Sequence, residues 1–227
     1  ARLFVDRYDF YRDIHRIFPD LSYAEMDSKF DQRDTQGVLF AEPLFHLLGA
    51  EEIESFDNSD YEGATIIHDF NLPLRANKKF TTLFDGGSLE HIFNYPVAIQ
   101  NCMELIADQG FFISINPSNN YFGHGFYQFS PDLYYSVLSE INGFSRTMVF
   151  INDGDNNYWY VIPPSSSHIR NELEKTDMIK TSIFVISQKT GKIPNTLTVQ
   201  QSDYEVNWTH QETVVNTQDS KLRALPI

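Results

Sequence analysis

The sequence contains very little cysteine: Cys102 is the only one among its 227 residues. A single thiol excludes an internal disulfide, and this usage is typical of a reducing compartment, so we expect a cytoplasmic protein. Cys102 lies in an apolar stretch with helical spacing, which predicts a packed thiol rather than a nucleophile.

Basic residues are also few. The chain has 17 Lys and Arg against 31 Asp and Glu, which gives a formal net charge of -14 and a pI near 4.8. Nucleic-acid binding needs a basic face, so this balance excludes nucleic acid as the main partner and argues against an anionic membrane surface. No apolar run approaches the roughly 20 residues of a membrane-spanning helix, so we expect no membrane segment. The oligomeric state stays open.

Two catalytic motifs are absent from the sequence. It has neither Gly-x-Ser-x-Gly, the turn that presents the nucleophile of α/β-hydrolases, nor His-Glu-x-x-His, the helical spacing of many zinc enzymes. A metal site built from scattered residues is an alternative, and its ligands would be His68, Asp69, Asp85, Glu90, His91 and His124. Because these residues follow no recognised ligand spacing, we expect no metal.

The chain is rich enough in apolar residues to bury a full core. Hydrophobic residues make up 41% and aromatic residues 15% of the sequence, which favours one globular domain over residues 1–190. Residues 191–227 are polar and are predicted to form an extended or partly disordered tail. The first residues are too short and polar for a signal peptide, and since the chain does not begin with Met, we expect native sequence before Ala1.

Three apolar segments end in an acid, at Asp57, Asp69 and Asp85. Helical patterns alternate with these and later strands, which predicts an α/β fold: a Rossmann-like open, mostly parallel sheet with helices on both faces. Parallel strands bring their carboxyl ends to one edge, where ligands bind, so the three acids would line one crevice. The alternative is that Asp simply favours strand ends and helix caps.

The strand-end acids suggest a ligand that contains adenosine. A carboxylate accepts hydrogen bonds from both hydroxyls of a ribose, a role that suits Asp57, and Asp69, followed by Phe70, would bind the adenine amino group. Gly86 and Gly87 follow the third acid and allow a close backbone approach or a positive φ.

His124 is the first candidate for a general base. Its flanking glycines predict an accessible ring, and an imidazole is suited to remove a proton from a hydroxyl or an amine. Tyr127 would orient the acceptor, and Glu90 and His91 are alternative bases. The structural alternatives are a hydrogen-bonding histidine in an ordered loop and a charge pair near a helix N-terminus.

Two runs of residues carry a family resemblance, Asp85-Gly86-Gly87-Ser88-Leu89-Glu90-His91 and Gly123-His124-Gly125-Phe126-Tyr127-Gln128-Phe129-Ser130-Pro131. They resemble a bacterial group of the class I S-adenosylmethionine-dependent methyltransferases, and the likeness spans about residues 37 to 190. The resemblance implies methyl transfer from S-adenosylmethionine to an oxygen or nitrogen of a small molecule or sugar. It also implies that Asp57 binds the ribose, Asp69 the adenine and the backbone of Asp85–Gly87 the methionine part.

The sequence departs from this family in its first loop. Methyltransferases of this class usually have a glycine-rich loop after the first strand, whereas the segment from Val5 to Phe10 contains no glycine. This departure favours a second hypothesis, in which the chain is a non-catalytic methyltransferase-like module for binding or assembly.

Overall fold

The computed structural model divides the chain into two compact units, Ala1–Asp69 and Phe70–Ile227, and each is described by itself. The structure describes residues 2–3, 7–30, 39–60, 63–75, 77–154, 158–164, 179–202 and 223–226.

The N-terminal unit is built around two amphipathic helices. The helices are α1 (Arg7–Ile17) and α2 (Tyr23–Lys29). Ser22 caps α2 and exchanges hydrogen bonds with Glu25, which satisfies backbone donors at the helix start. The side chains that these helices bury against each other are Phe10, Tyr11, Ile14, Met26 and Phe30.

The rest of this unit consists of short elements, which are β1 (Arg2–Leu3), β2 (Leu39–Phe40), α3 (Glu42–Leu47), β3 (Phe56–Asp57) and β4 (Ile66–Ile67). Strands β1 and β2 pair antiparallel, and β3 and β4 pair parallel. Helix α3 begins only at Glu42, because Leu39 and Phe40 belong to strand β2. Helix α1 begins at Arg7, within the glycine-free segment from Val5 to Phe10; residues 4–6 lie outside the described part.

The C-terminal unit contains a six-stranded sheet. Its strands are β5 (Phe80–Gly86), β6 (Ile106–Asn119), β7 (Phe144–Asn152), β8 (Tyr158–Ile162), β9 (Thr181–Lys189) and β10 (Arg223–Pro226). The order across the sheet is β10-β8-β7-β9-β6-β5. Helices α4 (Tyr95–Leu105) and α5 (Pro131–Val137) connect to it, and 3-10 turns cover Leu89–His91 and Glu140–Asn142.

The prediction of a mostly parallel, Rossmann-like sheet is wrong. Strands β5 and β6 pair parallel, whereas β6–β9, β9–β7, β7–β8 and β8–β10 all pair antiparallel. The physical reason is that only five residues separate β7 from β8, which is too few for a crossover helix, and β9 inserts between β6 and β7. Since β9 opposes both neighbours, β5, β6 and β7 still run in one direction, and their carboxyl ends lie at one edge.

The main core lies between α4, α5 and this sheet. Alternation along β6 buries Phe112, Ser114 and Asn116, while Phe111 and Ile115 remain exposed. Ser130 caps α5, because its Oγ accepts a hydrogen bond from the backbone N–H of Leu133 at 3.3 Å.

Cys102 is buried in α4, and burial raises the pKa of its thiol well above the ordinary value, so the prediction of a packed thiol is confirmed. In the part of the chain that the structure describes, the helices are too short or too polar to cross a membrane.

We predict that Phe112→Ala will destabilise the protein by about 3–5 kcal/mol, because the fully buried ring would leave a cavity beneath the sheet. Phe111→Ala is the matched control, since the neighbouring ring is 40% exposed and should cost less than about 1 kcal/mol. Urea unfolding of both variants provides the measurement. Equal losses would contradict the assigned alternation of β6.

Candidate functional site

The carboxylate of Asp85, near the end of β5, fixes the turn that leads into the candidate site. Its Oδ1 accepts from the backbone N–H groups of Ser88 and Leu89, at 3.0 and 3.3 Å. Its Oδ2 accepts from Ser114 Oγ at 3.0 Å and from Asn116 Nδ2 at 2.8 Å. These four bonds join the end of β5 to the following turn and to β6.

The Asp85 side chain itself is buried. Burial raises the pKa of Asp85 above its ordinary value, and the hydrogen bonds from Asn116, Ser88 and Ser114 oppose that rise. Asn116 Nδ2 also donates to Tyr134 Oη at 2.8 Å, which extends the network to α5. Because each of its oxygens accepts two hydrogen bonds within the protein, Asp85 organises the turn.

The turn delivers Glu90 and His91 to the carboxyl edge of the sheet. Gly87 adopts φ +86, and the 3-10 turn Leu89–His91 follows it directly. The side chain of Glu90 is only 1% exposed, whereas about half of the His91 side chain is exposed. This segment is therefore a short 3-10 turn rather than the start of an α-helix, and in it Glu90 is buried and His91 is half-exposed.

The loop that follows β6 docks on the backbone of Glu90. The N–H groups of Phe126 and Tyr127 both donate to Glu90 O, at 2.7 and 3.2 Å. Tyr127 Oη donates to Phe93 O at 2.6 Å. Gly125 has φ +72, and a Cβ on it would lie 2.8 Å from Glu90 O, so only glycine allows this approach.

Docking of this loop assembles three titratable side chains, Glu90, His91 and His124, which we call the His–Glu cluster. His124 Nε2 lies 3.3 Å from Glu90 Oε1, and His91 Nε2 lies 3.8 Å from the same oxygen. The two imidazole rings meet edge-on with centroids 4.9 Å apart. Three of the residues chosen from the sequence as bases therefore converge at one place.

The electrostatics of the cluster depend on the histidines. Among the described residues, the ion pairs of Glu90 are with His91 and His124, and its Oε2 is buried without a hydrogen-bond partner. Glu90 also contributes to the raised pKa of Asp85, so two buried carboxylates lie close together. A cation at the cluster, either an imidazolium or a metal ion, would offset this negative charge.

An aromatic surface borders the His–Glu cluster. Phe93 and Phe126 lie two residues after His91 and His124, are 70% and 66% exposed, and pack edge to face with centroids 5.7 Å apart. Exposed aromatic rings beside a polar cluster are typical of a ligand-binding surface.

The structure places the remaining predicted residues as follows. Gly86 is exposed and Gly87 half-buried, so their backbone is open to a ligand. Tyr127 uses its hydroxyl on Phe93 O, which fits a role in shaping the loop. Phe70 packs against the main core of the C-terminal unit.

The two acids assigned to adenosine belong to the N-terminal unit. Asp57 is exposed, and its Oδ1 accepts from Ser59 N at 3.0 Å in a tight turn. Asp69 is half-buried at the end of the unit. The local role of Asp57 is that of a turn-forming residue.

Sequence reasoning missed Ser114, Asn116 and Tyr134, which support Asp85. Two of them could have been found from the alternation of residues along β6, which puts Ser114 and Asn116 on the same buried face as Phe112. Polar residues on a buried face must have hydrogen-bond partners, and a strand-end acid is the natural one.

Comparison with known proteins adds no assignment. No protein-family model matches the chain, and no curated protein matches it. The methyltransferase resemblance therefore stays a prediction, and the function must be argued from the geometry of the cluster.

We predict that Gly125→Ala will disrupt the cluster, because the added Cβ would collide with Glu90 O and the residue would keep a positive φ, at a cost of about 1–2 kcal/mol or more. Gly123→Ala is the control, since its Cβ would meet no atom within 4 Å. NMR shifts of the His124 ring and the unfolding free energy would be measured. Identical behaviour of the two variants would contradict the docking described above.

Proposed function

We propose that this chain is a transferase in which the His–Glu cluster removes a proton from a hydroxyl or amino group of a small acceptor. The observation that carries the proposal is the 3.3 Å contact between the buried Glu90 Oε1 and His124 Nε2. A carboxylate that accepts from one imidazole nitrogen fixes the tautomer and leaves the other nitrogen to accept a proton.

In this arrangement His124 is the base and Glu90 positions it. His124 Nε2–H donates to Glu90, and Nδ1 takes the proton of the acceptor. The imidazolium that forms is stabilised by the buried carboxylate, and His91, at 3.8 Å, adds a second proton-exchanging group at the same oxygen.

We propose that the transferred group is the methyl group of S-adenosylmethionine, as the sequence resemblance implies. The sulfonium supplies an activated methyl group, so the protein has to align the acceptor and remove its proton. Two observations support this choice. The runs that carry the resemblance, Asp85–His91 and Gly123–Pro131, are the segments that build the cluster. The backbone of Gly86 and Gly87 is open to a ligand.

The acceptor that we propose is a small molecule or a sugar. The exposed rings of Phe93 and Phe126 offer an apolar surface to a ring face, and the net charge of -14 disfavours nucleic acid. The single cysteine, which is buried, supports a cytoplasmic location.

The test begins with calorimetric titration of S-adenosylmethionine and S-adenosylhomocysteine. Transfer of a labelled methyl group to a panel of sugars, hydroxyl compounds and amines is then measured.

We predict that His124→Asn slows transfer by about 10²–10⁴-fold, because the base is lost, while donor affinity stays within about twofold. His46→Ala, an exposed histidine of the N-terminal unit, is the control and should leave the rate unchanged.

Absence of binding at millimolar donor would contradict methyl transfer and favour the non-catalytic module. A normal transfer rate in His124→Asn would reject His124 as the base while leaving the reaction class in place.

A further inference from the structure

We propose that Glu90 Oε1, His91 Nε2 and His124 Nε2 bind a divalent transition-metal ion, with zinc the best fit. This site goes beyond the transfer reaction proposed above and is a separate state of the cluster. A metal on His124 Nε2 leaves the ring proton on Nδ1, so the metal-bound cluster does not act as the base described above. The site needs neither the methyl donor nor the acceptor.

The spacing of the three atoms suits a metal. Zinc bonds to imidazole nitrogen and carboxylate oxygen at about 2.0–2.1 Å, so tetrahedral ligands lie about 3.3–3.4 Å apart. Glu90 Oε1 is 3.3 Å from His124 Nε2 and 3.8 Å from His91 Nε2. Each of the three residues offers one ligand atom that lies within 4.8 Å of those offered by the other two. Small rotations of the two half-exposed histidines would complete the geometry.

The charge and burial of Glu90 form an independent argument. The side chain is only 1% exposed, its Oε2 has no hydrogen-bond partner among the described residues, and Asp85 is a second buried carboxylate nearby. Burying a carboxylate is costly unless a cation accompanies it. A divalent ion between Glu90 and the histidines would neutralise this charge better than one imidazolium.

The chemical types of the ligands select the metal. Two imidazoles with one carboxylate suit zinc and its transition-metal neighbours, whereas magnesium and calcium require mainly oxygen ligands. Three protein ligands leave a fourth position for water or a substrate, which is the pattern of catalytic rather than structural zinc sites.

The site is also held in place before any metal binds. Asp85 fixes the turn that contains Glu90 and His91, and two backbone hydrogen bonds to Glu90 O fix the loop that carries His124. Such outer support typically changes metal affinity by about 10–100-fold.

The experiment is calorimetric titration of zinc chloride into the 227-residue chain after treatment with a chelator. We expect one ion per chain at the cluster, with affinity reduced at least about tenfold in Glu90→Gln, His91→Ala and His124→Asn. His46→Ala should bind as the parent protein does, and excess magnesium should not compete. X-ray absorption of the zinc complex should show nitrogen and oxygen ligands without sulfur.

Several outcomes would overturn the site: no binding, zinc affinity unchanged in all three ligand variants, or sulfur in the first coordination shell. Circular dichroism verifies the fold of each variant, and His91→Ala, which alters a half-exposed side chain, keeps the test decisive if Glu90→Gln fails to fold. The titration contains no methyl donor, so absence of zinc binding would not contradict the proposed transfer reaction. Absence of methyl transfer would likewise not contradict the metal site.

Discussion

The candidate site depends on one buried carboxylate. Asp85 closes β5, and its two oxygens accept four hydrogen bonds, from the backbone of Ser88 and Leu89 and from the side chains of Ser114 and Asn116. These donors compensate the burial of both oxygens, and burial nevertheless raises the pKa of Asp85 above its ordinary value. The same bonds fix where the chain goes after the strand.

The positions of Glu90, His91 and His124 depend on that fixed turn. It places Glu90 inside and His91 outside, and the backbone carbonyl of Glu90 then receives the loop that carries His124. The glycine at position 125 permits contact between the two backbones that no larger residue would allow. The result is a buried acid with two accessible imidazoles, suited to proton removal and to binding a transition metal.

The sequence predicted the local elements better than their arrangement. The acid at the end of β5 and the choice of Glu90, His91 and His124 came from short patterns, which local chemistry determines. The direction of the strands could not be read in this way, because it depends on where β9 inserts, and residues 153–180 separate β9 from β7 along the chain. The convergence of His124 on Glu90 likewise depends on a contact between segments distant in sequence.

The most direct test of this account is native-state hydrogen exchange of Asp85→Ala compared with the parent protein. The account predicts that the amides of Ser88 and Leu89 lose protection by at least about tenfold relative to the amides of β9, because their shared acceptor is gone. If both amides keep their protection relative to β9, the carboxylate does not hold the turn and the central claim is wrong.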